Sequence, residues 1–182
     1  MDFETTLLNQ NEIIINKKGK NMFETNFSIE NKNLIIPKIL DFSLIKLICE
    51  LNQDIYESIN IDTIDENNVI ILLTVKHLFE DLGISQKYFH LQVEKTYENN
   101  KIIFKSQTLK NKPTNISEDI ELVDVKNFNI YCNIITPNKV DFTITIMFDQ
   151  SMVIPSYFDK MIGSFLNKIF NRVKQFIEKI TI

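Results

Sequence analysis

Side chains that could act in catalysis or bind a metal are few in this sequence and lie far apart. Histidine occurs only as His77 and His90, and the acidic residues Glu80 and Asp81 lie near the first of them. A metal site requires ligands clustered on one face, whereas His90 lies in an alternating segment on the face opposite Phe89. We therefore expect no metal site, and we predict a surface or groove position for His90.

Motifs of phosphate-binding and hydrolytic enzymes are also missing from the sequence. It contains no GxSxG, no HExxH and no glycine-rich phosphate loop, and its only glycines are Gly19, Gly83 and Gly163. A backbone cradle for phosphate depends on clustered glycines. We therefore predict a protein that is not an enzyme and that uses no cofactor.

Length and charge restrict the classes of protein further. The chain has 182 residues, of which 44% are hydrophobic, so we expect a single domain over residues 1–182 with a substantial core. The formal net charge is -4 and Arg172 is the only arginine. Neutralising phosphates requires many basic groups, and reading them in bidentate fashion requires arginine, so nucleic acid is not an expected partner.

The cysteines and the first residues bear on the cellular compartment. Cys49 and Cys132 lie inside apolar segments without a CxxC spacing, which favours buried free thiols and a reducing environment. The segment Met1–Gln10 lacks the basic and apolar regions of a signal peptide, and no apolar run is long enough to span a bilayer. The sequence therefore predicts a soluble, cytoplasmic protein.

A long amphipathic helix at the end of the chain dominates the pattern of predicted elements. Apolar residues recur every three or four positions from Ile154 to Ile180, which predicts a helix of about 40 Å at 1.5 Å per residue. The preceding segment alternates strictly between Phe142 and Phe148, which predicts a strand with one core face and one wetter face. Such a helix could lie across a whole sheet.

The rest of the chain is predominantly β. A helix is predicted to start near Asp41 or Ser43, which suit an N-cap, and the segment His77–Ser85 fits either a helical turn or a loop. The predicted strands are Glu12–Asn16, Met22–Ile29, Val69–Val75, Phe89–Val93, Ile102–Leu109, Ile120–Val125, Phe128–Ile135 and Val140–Phe148. This order indicates an α+β fold in which one antiparallel sheet curls.

The segment that joins the last strand to the final helix resembles a known family. START domains, the StAR-related lipid-transfer family of the helix-grip superfamily, commonly leave the last strand through Asp-Pro-x-Gly-x-Ile-Pro. Here Asp149, Ile154 and Pro155 stand at the matching spacing. Phe89 also matches the Phe of the family's Arg-Asp-Phe strand opening, whereas the family's Trp-Asp pair is missing. The resemblance spans most of the chain.

The resemblance implies a START-like helix-grip fold, a curved antiparallel sheet wrapped around the long C-terminal helix. It also implies a cavity between them that holds a lipid, a sterol or another apolar molecule, and possible transfer of that molecule. The expected ligand-binding residues from the helix are Phe158, Met161, Phe165 and Ile169. Those expected from the sheet are Phe142, Ile144 and Ile146, with Tyr131, Ser106 and His90 as candidates to orient a head group.

Other interpretations remain open at this stage. Each wall residue could instead be ordinary core, and the fold could then serve as a non-catalytic protein interaction module with a filled core. A cyclase or hydratase on the same scaffold is a more distant third. Basic residues on the polar side of the helix could contact an anionic membrane transiently or could simply be solvated. These residues are Lys160, Lys168, Arg172, Lys174 and Lys179.

Overall fold

The computed structural model describes residues 4–78, 80–152 and 154–181. The segment Met1–Phe3, Phe79, Val153, Ile182 and the side chain of Leu82 lie outside the described residues, although sequence-based expectations touched several of them. The described strands are β1 (Thr5–Gln10), β2 (Ile13–Lys17), β3 (Met22–Glu30), β4 (Tyr56–Thr63), β5 (Asn68–Val75), β6 (Lys87–Glu98), β7 (Lys101–Thr108), β8 (Glu121–Leu122), β9 (Val125–Thr136) and β10 (Lys139–Phe148). The α-helices are α1 (Phe42–Glu50) and α2 (Ser156–Lys179), with short 3-10 turns at Ile36–Ile39 and Glu80–Leu82.

All ten described strands belong to one open sheet. The order across the sheet is β1-β2-β3-β10-β9-β7-β6-β5-β4, so β1 and β4 form its edges. Neighbours on this path are antiparallel, and the short strand β8 pairs in parallel with β6. The sheet bends around α2, because α2 packs against β1, β2 and β3 and also lies over strands from the other half.

Tight turns built from asparagine and glutamate allow these hairpins. Asn11 and Glu12 have φ angles of 56° and 61°, and Asn99 has a φ of 52°. A two-residue hairpin turn needs such left-handed residues so that its twist matches that of the strands. Asparagine accepts this conformation more readily than most residues, and the turns therefore fix the register of β1 with β2 and of β6 with β7.

Helix α1 begins where the sequence predicts. The side chain of Asp41 accepts a hydrogen bond of 2.8 Å from the backbone N–H of Ser43, which satisfies one of the free donors of the first turn. The ring of Phe42 then packs edge-on against that of Phe104 on β7, with centroids 5.8 Å apart. Helix α1 therefore lies against the inner face of the sheet.

Helix α2 starts later than the apolar pattern suggests. Ile154 precedes the helix, and Pro155 has φ -60° and ψ 144°, an extended conformation that makes it the N-cap residue rather than the first helical residue. At the other end Ile180 is extended, with ψ 123°. Apolar periodicity alone does not report these dihedral angles, so the predicted boundaries of Ile154 and Ile180 were too wide.

Two asparagines that flank β3 hold the two ends of α2. The side-chain NH₂ of Asn21 donates to the carbonyl oxygens of Asp149 and Met152, both at 2.8 Å, just before the helix. Asn31 donates to the carbonyl of Ile177 at 2.7 Å, in the last turn. Both asparagines are buried, where an unpaired amide or carbonyl would be costly. The length of β3 therefore sets the position of α2.

Ion pairs along one side add to this attachment. Lys17 on β2 lies 2.7 Å from a carboxylate oxygen of Asp159, in the first turns of α2. Lys174, only 7% exposed, donates to the backbone oxygen of Ser28 at 3.0 Å and pairs with Glu12 at 3.1 Å. These contacts fasten α2 to the β1–β3 side of the sheet over most of its length.

Most predicted elements are confirmed, but the prediction of three strands needs correction. The α+β class, the capped helix α1, the closing helix and the antiparallel hairpins are present. The predicted strand Ile120–Val125 was wrong, because only Glu121–Leu122 pairs, and β1 and β4 were not among the predicted strands. The described residues between His77 and Ser85 form a loop with one 3-10 turn. Among the described residues, no helix is long and apolar enough to cross a membrane.

Candidate ligand-binding cavity

A cavity of about 270 Å³ lies between α2, α1 and one end of the sheet. Its volume is close to the lower limit of pockets for drug-sized molecules, roughly 300 to 1,000 Å³. The described lining residues from the sheet side are Ile71, Leu73, Val75, Phe89, Leu91, Val93, Phe104, Ser106, Val125, Phe128, Ile130, Ile146 and Phe148. The first residue of β4, Tyr56, also lines the cavity. The helices and loops contribute Ile45, Ile48, Cys49, Ile55, Leu78, Ile162, Phe165, Leu166, Ile169 and Phe170.

The cavity lies at one end of the sheet because the strands contribute lining residues only near that end, as β10 shows. On β10 the lining residues are the last inward-facing ones, Ile146 and Phe148. The earlier residues of the same face, Phe142 and Ile144, are 4% and 2% exposed and belong to the packed core. Alternation along a strand places all four on one face, so the boundary between core and cavity crosses the strand.

Helix α2 forms the opposite wall with its middle turns, between Ile162 and Phe170. Ile162 and Phe165 face the cavity and are only half-buried, whereas Leu166 and Ile169 also line it and are buried. The spacing of three and four residues keeps these side chains on one helical face. Farther along the same helix, Val173 and Ile177 are buried in the packed core.

The chemistry of the lining is almost entirely apolar. None of the described lining residues is charged, and three carry a side-chain heteroatom: Cys49, Tyr56 and Ser106. The Ser106 hydroxyl donates to the backbone oxygen of Phe128, so its proton is already used. Burial raises the pKa of the Cys49 thiol to about 12. Burial, with a smaller effect of the Cys49 thiol, also raises the pKa of Tyr56, so both groups stay neutral at neutral pH.

A second, polar pocket of about 310 Å³ adjoins the cavity at the end of α1. Cys49 and Tyr56 line both spaces, so they form the wall between them. Beyond that wall the described lining includes two acids and one base, namely Glu50, Glu57 and Lys76. The polar pocket is therefore weakly anionic next to an uncharged cavity.

Four of the ten residues expected to bind ligand line the cavity. They are Phe165, Ile169, Ile146 and Ser106. Two others, Phe142 and Ile144, face inward but lie in packed core, where the ring of Phe142 stacks on that of Phe27 at 5.0 Å. Phe142 and Ile144 differ from Ile146 only in their position along β10, which places them in the core and Ile146 at the cavity.

Phe158 and Met161 are half-buried on α2 and are not among the described lining residues. The ring of Phe158 lies 4.6 Å from that of Tyr157, which is strongly exposed. Ile162 occupies the cavity wall instead of Met161, which the stripe of apolar residues alone did not distinguish.

Tyr131 and His90 lie on the outer face of the sheet, where Tyr131 is half-buried and His90 is only 7% exposed. The surface or groove position predicted for His90 was therefore wrong. Each of the two residues sits between inward-facing neighbours in an alternating strand, and neither is a described lining residue. The Tyr131 hydroxyl accepts a 3.3 Å hydrogen bond from Asn129, and the His90 Nδ1 lies 3.0 Å from the carbonyl oxygen of Asn111. Neither side chain is placed to meet a molecule inside the cavity.

Tyr56 and Cys49 were not among the residues expected to bind a ligand. Cys49 was expected to be a buried free thiol, which it is, but its position on the cavity wall was not foreseen. Tyr56 stands beside Ile55, where the sequence shows an apolar residue followed by an aromatic one with a polar tip. That pattern was available as a signal, since tyrosine often has one apolar and one polar environment.

The basic residues of α2 are less available than the sequence suggested. Lys174 is buried, and Lys168 and Arg172 both pair with Asp54, with 2.5 Å between Lys168 and that carboxylate. Hydrogen bonds from Arg172 and Lys168 hold the pKa of Asp54 well below its usual range. Among the described residues, no cluster of three His, Cys, Asp or Glu side chains could hold a metal ion.

Solved structures with a similar fold match nearly the whole chain. The human StarD13 lipid transfer and protein localization domain matches with a TM-score of 0.72 at 9% identity, over 99% of this chain and 91% of that chain. Human StAR-related lipid transfer protein 5 matches with a TM-score of 0.65 at 14% identity, over 97% and 85%. A STAR-related lipid transfer protein from Xanthomonas axonopodis matches with a TM-score of 0.68 at 9% identity, over 98% and 100%.

Comparison by sequence found no match, either to a family model or to a curated protein. The structural matches cover the sheet and both helices at low identity, so they concern architecture rather than residues. The sheet order and the closing helix described above agree with them. The chain therefore has the START-like helix-grip fold.

Proposed function

We propose that this protein binds a lipid or another hydrophobic small molecule in the cavity between α2 and the sheet. The observation that carries the proposal is the cavity itself, about 270 Å³ in volume and lined by uncharged residues in the described part of the chain. Three solved structures of the same fold are named for lipid transfer, which supports the same class of ligand. Transfer between membranes is the further role that this class suggests.

The driving force would be the removal of apolar surface from water. A ligand that buries roughly 200 Å² of apolar surface gains about 5 kcal/mol at 25 cal/mol per Å², before the cost of losing its freedom of motion. The half-buried side chains of Ile162 and Phe165 would lose their remaining contact with water at the same time. No covalent step is needed for such binding.

Two alternatives have weaker support. A protein interaction module with a filled core does not account for a cavity of this size beside a packed core. An enzyme would need polar groups that converge on a bound substrate, whereas the described cavity walls offer two neutral groups with high pKa values and one serine that is already hydrogen-bonded. We therefore propose binding without catalysis.

Contact with an anionic membrane would accompany transfer and is the least supported element. Pairing with Asp54 removes much of the charge that Lys168 and Arg172 would offer. Lys160 and Lys179 are exposed on α2 and could each contribute about 1 kcal/mol near such a surface. Co-sedimentation with vesicles with and without anionic lipid measures this directly, and equal binding to both would remove the membrane step while leaving ligand binding intact.

Native mass spectrometry tests ligand binding. The purified protein is stripped of lipid, exposed to a mixture of lipids and smaller apolar molecules, and weighed intact. We expect a bound molecule in the natural protein and its loss in Ile146→Phe, which puts a larger side chain into the cavity. The matched control is Thr145→Phe, because Thr145 is the neighbour on the opposite face of β10.

The outcomes separate a specific cavity from surface adsorption. Binding that Ile146→Phe abolishes and Thr145→Phe preserves would support the proposal. Repeated absence of any bound molecule in the natural protein would overturn it. Equal binding by all three proteins would place the molecule outside the cavity and would also overturn it.

A further inference from the structure

The cavity has one polar end. The groups at that end do not suit a charged lipid head group. Its two polar groups without a described hydrogen bond are the Tyr56 hydroxyl and the Cys49 thiol, both on the wall shared with the polar pocket. Ser106, the remaining polar lining residue, already donates to the carbonyl of Phe128. The Ser106 hydroxyl could therefore only accept a hydrogen bond from a bound molecule, and among the described lining residues a side-chain donor for such a molecule is left only on Tyr56 and Cys49, at the end of α1.

We propose that the ligand is a compact, uncharged molecule with a single hydrogen-bonding group, which the hydroxyl of Tyr56 binds. This inference rests on the proposed function and specifies the class of ligand for the same cavity. A hydroxyl or carbonyl oxygen on an otherwise apolar body fits this description. An ionised fatty acid and a phospholipid do not.

The charges around this end disfavour an anion. The described cavity lining contains no lysine, arginine or histidine that could pair with a carboxylate or phosphate. Beyond Tyr56 and Cys49, the nearest acids of the polar pocket are Glu50 and Glu57, against one base, Lys76. Burying an ionised group without a partner costs far more than burying a neutral one, and two nearby carboxylates increase that cost for an anion.

The size of the cavity disfavours a large lipid. A volume of about 270 Å³ lies slightly below the usual range for drug-sized ligands, roughly 300 to 1,000 Å³. One short chain or a small ring system fits such a space, and two long acyl chains do not. The packed aromatic rings of Phe27, Phe142 and Phe170 close the other end of the core, so a long chain could not continue in that direction.

Four eight-carbon probes test the inference: octane, octanol, octanoate and octylammonium. We expect octanol to bind roughly two- to twelvefold more tightly than octane, the ratio that one hydrogen bond typically gives. At about pH 8, where its carboxylate is ionised, octanoate should bind at least tenfold more weakly than octanol. Partition between solution and headspace gives the dissociation constants of octane and octanol, and titration calorimetry gives those of the two ions.

The variant Tyr56→Phe removes the hydroxyl and keeps the ring. In this variant octanol should bind no more tightly than octane, while the affinity for octane stays as in the natural protein. Tyr131→Phe makes the same change on the outer face of the sheet and should leave both affinities unchanged. Unchanged octane binding also shows that Tyr56→Phe is folded.

Several results would overturn the inference while the proposed function stands. Octanoate that binds as tightly as octanol would show that the cavity accepts an anion. Octylammonium that binds more tightly than octanol would place the head group among the acids of the polar pocket. A preference for octanol that persists in Tyr56→Phe would mean that another group binds the hydroxyl. By contrast, failure of all four probes and of the lipid mixture would overturn the proposed function itself.

Discussion

Along the inner face of β10, two neighbouring regions of one apolar surface meet different surroundings. Val140, Phe142 and Ile144 are at most 4% exposed and pack within the core. Ile146 and Phe148, the next two residues of the same face, are half-buried and line the cavity. The residue types are alike, so the difference comes from what lies opposite. We call these regions the filled end and the hollow end.

At the filled end, large side chains from three elements meet. The ring of Phe27 on β3 stacks on Phe142 of β10 at 5.0 Å and on Phe170 of α2 at 5.6 Å. Stacked rings fill the space between helix and sheet at the density of an organic crystal. Accordingly, Phe27 and Phe142 are not among the described residues that line the cavity.

At the hollow end, attachments at the edges hold the walls apart. Asn21 ties the entrance of α2 to the turn before β3, and Arg172 joins the loop after α1 to α2 through Asn52 at 3.1 Å and through Asp54. The helix therefore cannot settle further onto the sheet without breaking these contacts. Polar contacts at the rim of the cavity, rather than smaller core residues, therefore leave the space open.

The largest effect on the free energy of unfolding is expected when an aromatic ring is removed from each end. Phe142→Ala should lower the free energy of unfolding by about 3–5 kcal/mol, the usual cost of a large cavity in a packed core. Phe128→Ala at the hollow end should cost less than half as much, because part of its surface already faces empty space. Urea denaturation of both variants gives the two values, and equal losses would contradict the division into two ends.

A smaller effect is expected when bulk is added. Ile144→Phe should destabilise the protein by about 1–3 kcal/mol, because overpacking a filled core forces neighbouring side chains out of place. Ile146→Phe, two residues along the same face, should change stability by less than about 1 kcal/mol, since the cavity can accept the ring. Thermal unfolding of the two variants measures both changes in stability. A larger loss of stability in Ile146→Phe than in Ile144→Phe would mean that the cavity is closed in solution.

The smallest effect on stability is expected when the ion pairs of Asp54 with Arg172 and Lys168, at the rim of the cavity, are removed. Asp54 is partly exposed, so Asp54→Asn should cost only roughly 0.5–1 kcal/mol at neutral pH. Because Arg172 and Lys168 lower the pKa of Asp54 in the folded state, the pair stabilises the protein above the usual pKa of about 3.9. That contribution is lost as the pH falls from there toward the lowered pKa.

Urea denaturation as a function of pH measures this contribution. The natural protein should lose stability more steeply below about pH 4 than Asp54→Asn does. Asp62→Asn, which removes a carboxylate from the edge strand β4, is the matched control and should keep the steep slope. Identical slopes for all three proteins would show that Asp54 does not fasten the rim.

Much of the fold followed from local patterns. The alternation from Phe142 to Phe148 and the cap at Asp41 each act over a few residues, and each is found where expected. The strand predicted over Ile120–Val125 failed because pairing partners, rather than propensity, decide whether a short segment becomes a strand. Only two of its residues find a neighbour, on β6.

The candidate site was less predictable than the fold. Periodicity placed Phe165, Ile169 and Ile146 on inward faces, and these residues line the cavity. It placed Phe142 and Ile144 on the same face equally well, because a period of two or 3.6 residues reports orientation and not what lies across the gap. The expected polar groups Tyr131 and His90 were chosen by type, but the alternation of their strands directs them outward.

The sequence by itself determined the apolar stripe of α2, the inward face of β10 and the absence of charge from both. Only the tertiary structure decided that this face divides into a packed core and a cavity, and that Tyr56 and Cys49 form the cavity's polar end. The reason is physical: the space depends on contacts between distant residues, such as Arg172 with Asp54 and Asn21 with Asp149. No local pattern encodes those distances.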